Sequence, residues 1–181
     1  GWKPKGYTPP SPEESAAKMK TLDNVHINQA IKTPQFYQLW IVLCFNVSAG
    51  IGVIGVAKTM MSEIFGSAPS GSELASIVTA TFAGTYVLMI SVFNMCGRII
   101  WASLSDYIGR KNTYHCFFVI GTLLYLSIPF TASAVSVNPS VMYLVMFYAA
   151  TMIIFTMYGG GFATIPAYLA DMFGTIHVGG I

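Results

Sequence analysis

Residues 112–170 read NTYHCFFVIGTLLYLSIPFTASAVSVNPSVMYLVMFYAATMIIFTMYGGGFATIPAYLA, and this stretch decides the fold class. It contains no Asp, Glu, Lys or Arg. A helix needs about 20 apolar residues to cross the hydrocarbon core of a bilayer, so the stretch has room for two such helices. An Asn-Pro pair within residues 133–140 predicts the turn between them. We expect membrane spans over about residues 113–132 and 141–165.

Two further uncharged stretches precede it, residues 33–57 and 74–97. Each has the length of one span, and we expect these spans over about residues 36–57 and 74–97. In lipid, backbone amides must be paired within a helix or within a closed barrel, and these runs lack the alternation of apolar and polar residues that barrel strands show. The predicted fold class is therefore an all-α integral membrane protein with four full transmembrane helices.

The composition agrees with a membrane location and excludes an ordinary soluble domain. Hydrophobic residues make up 54% of the chain and charged residues 9%, whereas a soluble domain carries about 25% charged residues. The formal net charge is only +2, and positive charge in such a chain sets topology rather than attracting nucleic acid. We expect the lipid bilayer as a partner and no nucleic acid.

The remaining segments are polar and rich in turn-forming residues. Residues 1–33 hold four prolines and five lysines, so we expect an extended linker there, with a short helix on the membrane surface near its end as the alternative. Residues 62–72 predict a loop because they contain glycine and proline. Residues 166–181 are expected to form a terminal loop. The chain does not begin with Met and has no apolar stretch at its N-terminus, so no signal peptide is expected and the chain is interpreted as a fragment.

Lys and Arg residues are distributed unevenly between the two sides of the membrane. One side carries eight of them, and the other side carries only Lys58. Since cytoplasmic loops retain positive charge during insertion, the linker over residues 1–33 and the loop over residues 98–111 are predicted to be cytoplasmic. We expect a multi-pass protein of the plasma (inner) membrane. The eight residues are Lys3, Lys5, Lys18, Lys20, Lys32, Arg98, Arg110 and Lys111.

The loop between the second and third spans has the most specific pattern in the chain, and residues 97–111 read GRIIWASLSDYIGRK. This loop resembles the signature loop of the Major Facilitator Superfamily, in which an Asp is followed by a Gly and two basic residues. Asp106, Gly109, Arg110 and Lys111 match that pattern. Two positions depart from it, as is common in the second copy of this loop: Ser103 and Tyr107. The resemblance implies the C-terminal half of a transporter, a partial six-helix bundle over residues 34–181, with the N-terminal half as its missing partner.

The residue types in this loop also have physical reasons. A tight turn between two spans needs the backbone freedom of Gly109, and Arg110 and Lys111 can anchor the turn at lipid headgroups. Arg98, at the same edge of the membrane, is included in the predicted gating loop. The resemblance implies that the Asp106 carboxylate engages a helix N-terminus and a nearby Arg across the two halves, which holds the cytoplasmic gate closed. The alternative is that Asp106 caps a helix and that the basic pair only sets topology.

Within the superfamily, the chain resembles the oxalate/formate antiporter family. The resemblance rests on GWKP at residues 1–4, YTPP at residues 7–10, TPQFYQLW at residues 33–40, and several residues between Asn94 and Asp106. It implies secondary active transport of a small organic anion, such as oxalate, formate or a related monocarboxylate, with this chain as spans seven to ten of twelve. Two alternatives stay open: a superfamily transporter of another substrate class, such as a sugar or a drug, and a truncated fragment that does not transport.

Polar side chains within the spans are the candidates for substrate contact. In the second span, the spacing of Thr79, Tyr86 and Asn94 predicts one helical stripe, whose hydroxyl and amide groups can donate hydrogen bonds to a carboxylate. Lys58, near the outer end of the first span, can attract an anion or extend to the interface. For the polar residues, the alternative to substrate contact is packing between helices. For the three glycines of residues 159–161, the two alternatives are helix packing and a hinge. The full set of candidates is Asn46, Lys58, Thr79, Tyr86, Asn94, Tyr148 and Thr151.

Catalytic chemistry is not expected from this sequence. An intramembrane enzyme would need a nucleophile with a buried base, or a metal cluster. The three histidines lie outside the span centres, and the three cysteines have no paired spacing for a metal or a disulfide. We therefore expect no enzyme, no metal and no cofactor. The residues concerned are His26, His115, His177, Cys44, Cys96 and Cys116.

Overall fold

The computed structural model describes residues 24–66 and 72–181, together with Ser11 and Glu13. Most of the predicted linker over residues 1–33, and residues 67–71 of the predicted loop over residues 62–72, lie outside the described residues. A short 3₁₀ turn, Val178–Gly180, follows the last helix. The α-helices are α1 (Ile27–Ala30), α2 (Pro34–Phe65), α3 (Glu73–Ile77), α4 (Ala80–Ile108), α5 (Arg110–Val137) and α6 (Val141–Phe173).

Within the part of the chain that the structure describes, four helices are long and apolar enough to cross a membrane: α2, α4, α5 and α6. The shortest of them, α5, has 28 residues. At about 1.5 Å per residue it is about 42 Å long, which exceeds the ~30 Å of a hydrocarbon core. Residues 24–66 and 72–181 contain no strand. The predicted all-α membrane fold class is confirmed.

Several predicted loops are shorter than expected because helices continue into them. The prediction of a loop from residue 166 is wrong up to residue 173, because α6 continues through Pro166 to Phe173. A proline is tolerated in a membrane helix where neighbouring groups satisfy the carbonyl that it leaves free. The helix ends before Gly174, whose φ of 85° is a left-handed conformation that glycine adopts without strain. Similarly, α2 continues to Phe65 and α5 to Val137.

The second predicted span is interrupted near its start. The short helix α3 ends before residues 78–79, and α4 begins at Ala80. Thr79 is the N-cap of α4, because its Oγ1 accepts a hydrogen bond from the Phe82 N–H at 3.2 Å. Such a cap satisfies one of the backbone donors that a helix start leaves free. Thr79 therefore lies before the helix and not on the helical stripe that was predicted for it with Tyr86 and Asn94.

Residues 41–164 form one compact unit, and the hydrophobic core lies in it. Phe65, Tyr86, Phe147 and Phe155 are fully buried there. In α6, 44% of a membrane-length window is buried, against 11% in α2, α4 and α5. The other three helices therefore keep a largely exposed apolar surface, as is expected where helices face lipid.

Among the described residues, 24–40 and Ile165–Ile181 belong to the second compact unit. In it, the Val25 N–H donates to the Phe173 carbonyl at 2.8 Å, and Asn24 Oδ1 accepts from the Ile176 N–H at 3.1 Å. These bonds tie the segment before α2 to the C-terminal end of α6. The single turn α1 lies where a short helix was the alternative to an extended linker.

Candidate functional site

The turn between α4 and α5 is made by a single residue, Gly109. Its φ of 88° and ψ of 145° lie outside the region that L side chains favour. The Gly109 N–H donates to the Ser105 carbonyl at 3.1 Å, and its own carbonyl accepts from the Thr113 N–H at 3.1 Å and from Thr113 Oγ1 at 3.0 Å. α4 therefore ends and α5 begins at Gly109, and the hydrogen bonds on both sides restrict the backbone conformation of the turn. The backbone role predicted for Gly109 is confirmed.

Arg110 folds back across this turn onto the end of α4. Its guanidinium donates to Asp106 Oδ1, to Ser105 Oγ and, at 3.4 Å, to the Ala102 carbonyl. A cation at a helix C-terminus is favoured by the helix dipole and by the carbonyls that have no partner within the helix. Arg110 is only 14% exposed. It is therefore bound to the end of α4, and its anchoring at the lipid headgroups stays a prediction.

Asp106 keeps one side of its carboxylate open. The residue is 62% exposed although it is paired with Arg110, and a pair this exposed contributes only about 0–1 kcal/mol to stability. Asp106 is therefore paired with Arg110 and still exposed over most of its side chain. Lys111 and Arg98 are exposed as well, and Arg98 lies about two helical turns before Asp106 on α4. Asn112 Nδ2 donates to the Ile108 carbonyl at 2.9 Å and satisfies another group at the end of α4.

The three consecutive glycines of α6 lie where α2 and α4 pack against it. Gly159 contacts Asn94 of α4, Gly160 contacts Trp101 of α4, and Gly161 contacts Asn46 of α2. A Cβ on Gly160 would lie 2.7 Å from Trp101 Cγ, and one on Gly161 would lie 3.0 Å from Asn46 Cγ. These distances leave no room for a side chain. α6 continues through the run without a break, which favours packing over a hinge.

Two predicted substrate ligands, Asn46 and Asn94, are brought to this interface. The buried Asn46 Nδ2 has no hydrogen-bond partner among the described residues. The backbone carbonyl and the side-chain amide of Asn94 both contact Gly159. Asn94 and Ser91 also line a cavity of about 190 Å³ between α2 and α4. An amide donor without a partner, and an amide at a small cavity, are both suited to bind an acceptor oxygen.

Three other predicted ligands form a separate cluster between α4 and α6. Tyr86 and Tyr148 have their ring centroids 5.5 Å apart. The Thr151 hydroxyl lies beside the Tyr86 hydroxyl but donates to the Phe147 and Tyr148 carbonyls of its own helix, both at 2.9 Å. Tyr86 and Thr151 are fully buried, and the Tyr86 hydroxyl lacks a hydrogen bond of good geometry within the described residues. The structure thus groups three of the seven candidates.

The structure does not bring Lys58 and Thr79 to either group. Lys58 is exposed on α2, and Thr79 is exposed and occupied as the cap of α4. Residues 24–66 and 72–181, with Ser11 and Glu13, contain no group of three His, Cys, Asp or Glu side chains that could hold a metal ion.

Two hydrogen bonds from other helices to α6 come from residues that the sequence analysis did not assign to the site. Trp101 Nε1–H donates to Thr156 Oγ1 at 3.2 Å, and the Tyr114 hydroxyl donates to the Gly161 carbonyl at 2.7 Å. A signal was present in the sequence, since a Trp or Tyr within an apolar run needs a partner for its polar group. The identity of that partner depends on helix rotation, which hydropathy does not reveal.

Comparison with known proteins gives two curated relatives. The oxalate:formate antiporter of Oxalobacter formigenes is 30% identical over 149 residues, which are 82% of this chain and 31% of the relative. The uncharacterized MFS-type transporter YhjX of Escherichia coli (strain K12) is 27% identical over 149 residues, 81% of this chain and 31% of the relative. The chain thus spans 31% of the length of these relatives. No family model and no solved structure matches it.

Both relatives are named as transporters, and neither is named as an enzyme. The resemblance that the Asp106 turn predicted was to the same superfamily. That prediction is confirmed, and over 82% of its residues this chain is similar to transporters of the Major Facilitator Superfamily.

Proposed function

We propose that this chain is part of a secondary active transporter that exchanges a small organic anion, such as oxalate, formate or a related monocarboxylate, across the membrane. The observation that supports this most directly is the 30% identity to an oxalate:formate antiporter. Since the chain spans 31% of that relative, further helices of the same transporter complete the pathway. These helices correspond to the N-terminal half expected from the sequence and to the later spans.

Transport would proceed by alternating access, in which two groups of helices rock about a central substrate site. The turn at Asp106 is the proposed cytoplasmic gate. Arg110 holds the Asp106 carboxylate from one side, and the exposed side is free to engage the positive N-terminal end of a helix in the other half. The eight basic residues on one side of the membrane support a cytoplasmic location for this turn in the plasma membrane.

Substrate contact is proposed for polar groups of α2, α4 and α6. Asn46 Nδ2, which has no hydrogen-bond partner among the described residues, and the Asn94 amide lie at the glycine run. The Tyr86, Tyr148 and Thr151 hydroxyls lie in the second cluster. Amide and hydroxyl donors can bind carboxylate oxygens without the cost of burying a cation. The exposed Lys58 would attract the anion near the outer end of its helix.

The protein reconstituted in liposomes tests the proposed substrate class. Liposomes loaded with unlabelled oxalate should take up external labelled oxalate or formate faster than empty liposomes, because exchange requires an anion on both sides. Labelled lactate, a sugar and a cationic drug serve as comparison substrates. Uptake of the sugar or the drug, without uptake of any carboxylate, would show that the substrate class is wrong while the transporter fold remains.

A further inference from the structure

The two helices that meet at the gating turn are both bonded to the same short stretch of α6. Trp101 of α4 lies before the turn, and its indole N–H donates to Thr156 Oγ1 at 3.2 Å. Tyr114 of α5 lies after the turn, and its hydroxyl donates to the Gly161 carbonyl at 2.7 Å. Thr156 Oγ1 also donates to the Ile153 carbonyl at 2.7 Å, which fixes the orientation of the acceptor. Each arm of the turn therefore has a directional bond to α6.

Phe117 joins these two arms into one packed group. Its ring makes edge-to-face contacts with Trp101, at a centroid distance of 4.9 Å, and with Tyr114, at 5.4 Å. Tyr114 is 4% exposed and Phe117 is 5% exposed. Edge-to-face contacts are favoured by the charge distribution of aromatic rings, so the three rings hold one another in defined orientations. We call Trp101, Tyr114 and Phe117 the aromatic clamp.

Glycines allow α4 and its Trp101 side chain to pack directly against the backbone of α6. Gly160 lies under Trp101, and a Cβ there would come within 2.7 Å of Trp101 Cγ. One turn before Trp101, Gly97 contacts the Thr156 carbonyl in the same way. Packing this close leaves two helices few ways to slide past each other.

The aromatic clamp is also close to the ionic groups of the gate along the chain. Trp101 precedes Asp106 by about one and a half turns of α4, and Tyr114 follows Arg110 by about one turn of α5. Only Gly109 lies between the two helices. A displacement of either arm relative to α6 would therefore move Asp106 or Arg110 as well.

We propose that Trp101 and Tyr114 are positioning residues of the gate, which hold the turn in fixed register with α6 so that Asp106 and Arg110 move together with that helix. The proposal rests on the gating role given above to Asp106. It explains why two polar aromatic side chains of a lipid-embedded bundle direct their donors at the same stretch of α6. Neither residue needs to touch the substrate.

Tyr114→Phe tests the proposal by separating rate from affinity. Its maximal exchange rate should fall about fivefold, the factor that one hydrogen bond supplies, while the half-saturating substrate concentration stays unchanged. Asp106→Asn should act through the same turn, so the double variant should be no slower than Asp106→Asn alone. Thr156→Val should behave like Tyr114→Phe, and Thr156→Ser, which keeps the acceptor oxygen, should retain the normal rate.

Tyr125→Phe is the matched control. Tyr125 is also on α5, and its hydroxyl also donates to a carbonyl of another helix, that of Ala49 in α2, at 3.1 Å. Its loss removes the same kind of bond at a distance from the turn. Any slowing in Tyr125→Phe should multiply with that of Asp106→Asn. If Tyr114→Phe also multiplied with Asp106→Asn, the aromatic clamp would be ordinary packing and the proposal would be overturned.

Hydrogen exchange of the turn provides a readout that does not require transport. Tyr114→Phe and Thr156→Val should speed exchange of the Gly109 and Thr113 amides, which bond to Ser105 and Gly109, and Tyr125→Phe should not. Unchanged protection of these amides in Tyr114→Phe would overturn the proposal even if its anion-exchange rate fell. If the protein moves no carboxylate but Tyr114→Phe speeds hydrogen exchange of these amides, the aromatic clamp is supported and only the proposed substrate is contradicted.

Discussion

At the scale of single residues, the gating proposal depends on the Asp106 carboxylate. Asp106→Asn keeps the shape of the side chain but removes the charge that a helix N-terminus would attract. We expect exchange to be slower by at least about tenfold, since a hydrogen bond to a charged group is worth about 1.5–3 kcal/mol. The amount of protein in the membrane should be unchanged. Exchange in proteoliposomes, normalised to protein, measures this effect. Glu73→Gln, which neutralises an exposed carboxylate of α3, is the control, and an unchanged rate in Asp106→Asn would contradict gating.

The two buried tyrosines Tyr86 and Tyr114 are expected to respond differently to replacement by Phe. The Tyr114 hydroxyl is bonded to Gly161, so Tyr114→Phe should lower the free energy of unfolding by about 1 kcal/mol. The Tyr86 hydroxyl is buried and makes no well-formed hydrogen bond within the part of the chain that the structure describes, so Tyr86→Phe should leave the melting temperature in detergent unchanged or raise it. If Tyr86 binds the transported carboxylate, its variant should also need more substrate for half-maximal exchange. An equal loss of stability in both variants would show that Tyr86 is bonded to Thr151 in the folded protein.

At the scale of secondary-structure elements, the glycine run of α6 is expected to be a packing surface. Gly160→Ala should destabilise the protein by about 1–3 kcal/mol, the usual cost of extra atoms in a filled interface, because the new methyl group would meet Trp101. Gly52→Ala in α2 is the matched control, since a Cβ there has no atom within 4 Å. That variant should gain up to about 1 kcal/mol through helix propensity. Thermal unfolding in detergent measures both, and a hinge at Gly160 would instead predict a slower rate without lost stability.

The elements also show what could be predicted from the sequence. Long uncharged stretches are sufficient to predict four membrane-length helices, because burial in lipid is a property of composition. The glycine at position 109 predicts the tight turn for a similarly local reason. The extension of α6 beyond Pro166 was missed because a proline ends a helix in water more often than in a membrane. The bond between Trp101 and Thr156 joins residues far apart in sequence, and it follows from helix rotation, about which a uniformly apolar stretch carries little information.

At the scale of the whole molecule, the order of the helices determines which segments share a side of the membrane. α2 and α4 separate the segment before Pro34 from the turn at Gly109. We predict that α2 and α4 each cross the bilayer once, so that the basic residues before α2 and those of the turn share one compartment. The loop at residues 138–140 would then follow a third crossing and face the opposite compartment. The positive-inside rule predicts that the first side is the cytoplasm.

Cysteine labelling tests this arrangement. After replacement of Cys44, Cys96 and Cys116, single cysteines are introduced as Lys32→Cys, Tyr107→Cys and Asn138→Cys, all at exposed positions. A membrane-impermeant maleimide added outside intact cells should label the third variant and spare the first two, and inside-out vesicles should show the reverse. If the cysteines at 32 and 107 reacted from opposite sides, α2 and α4 could not both cross the bilayer. The Asp106 turn could not then close a pathway on the side where the basic segment before α2 lies.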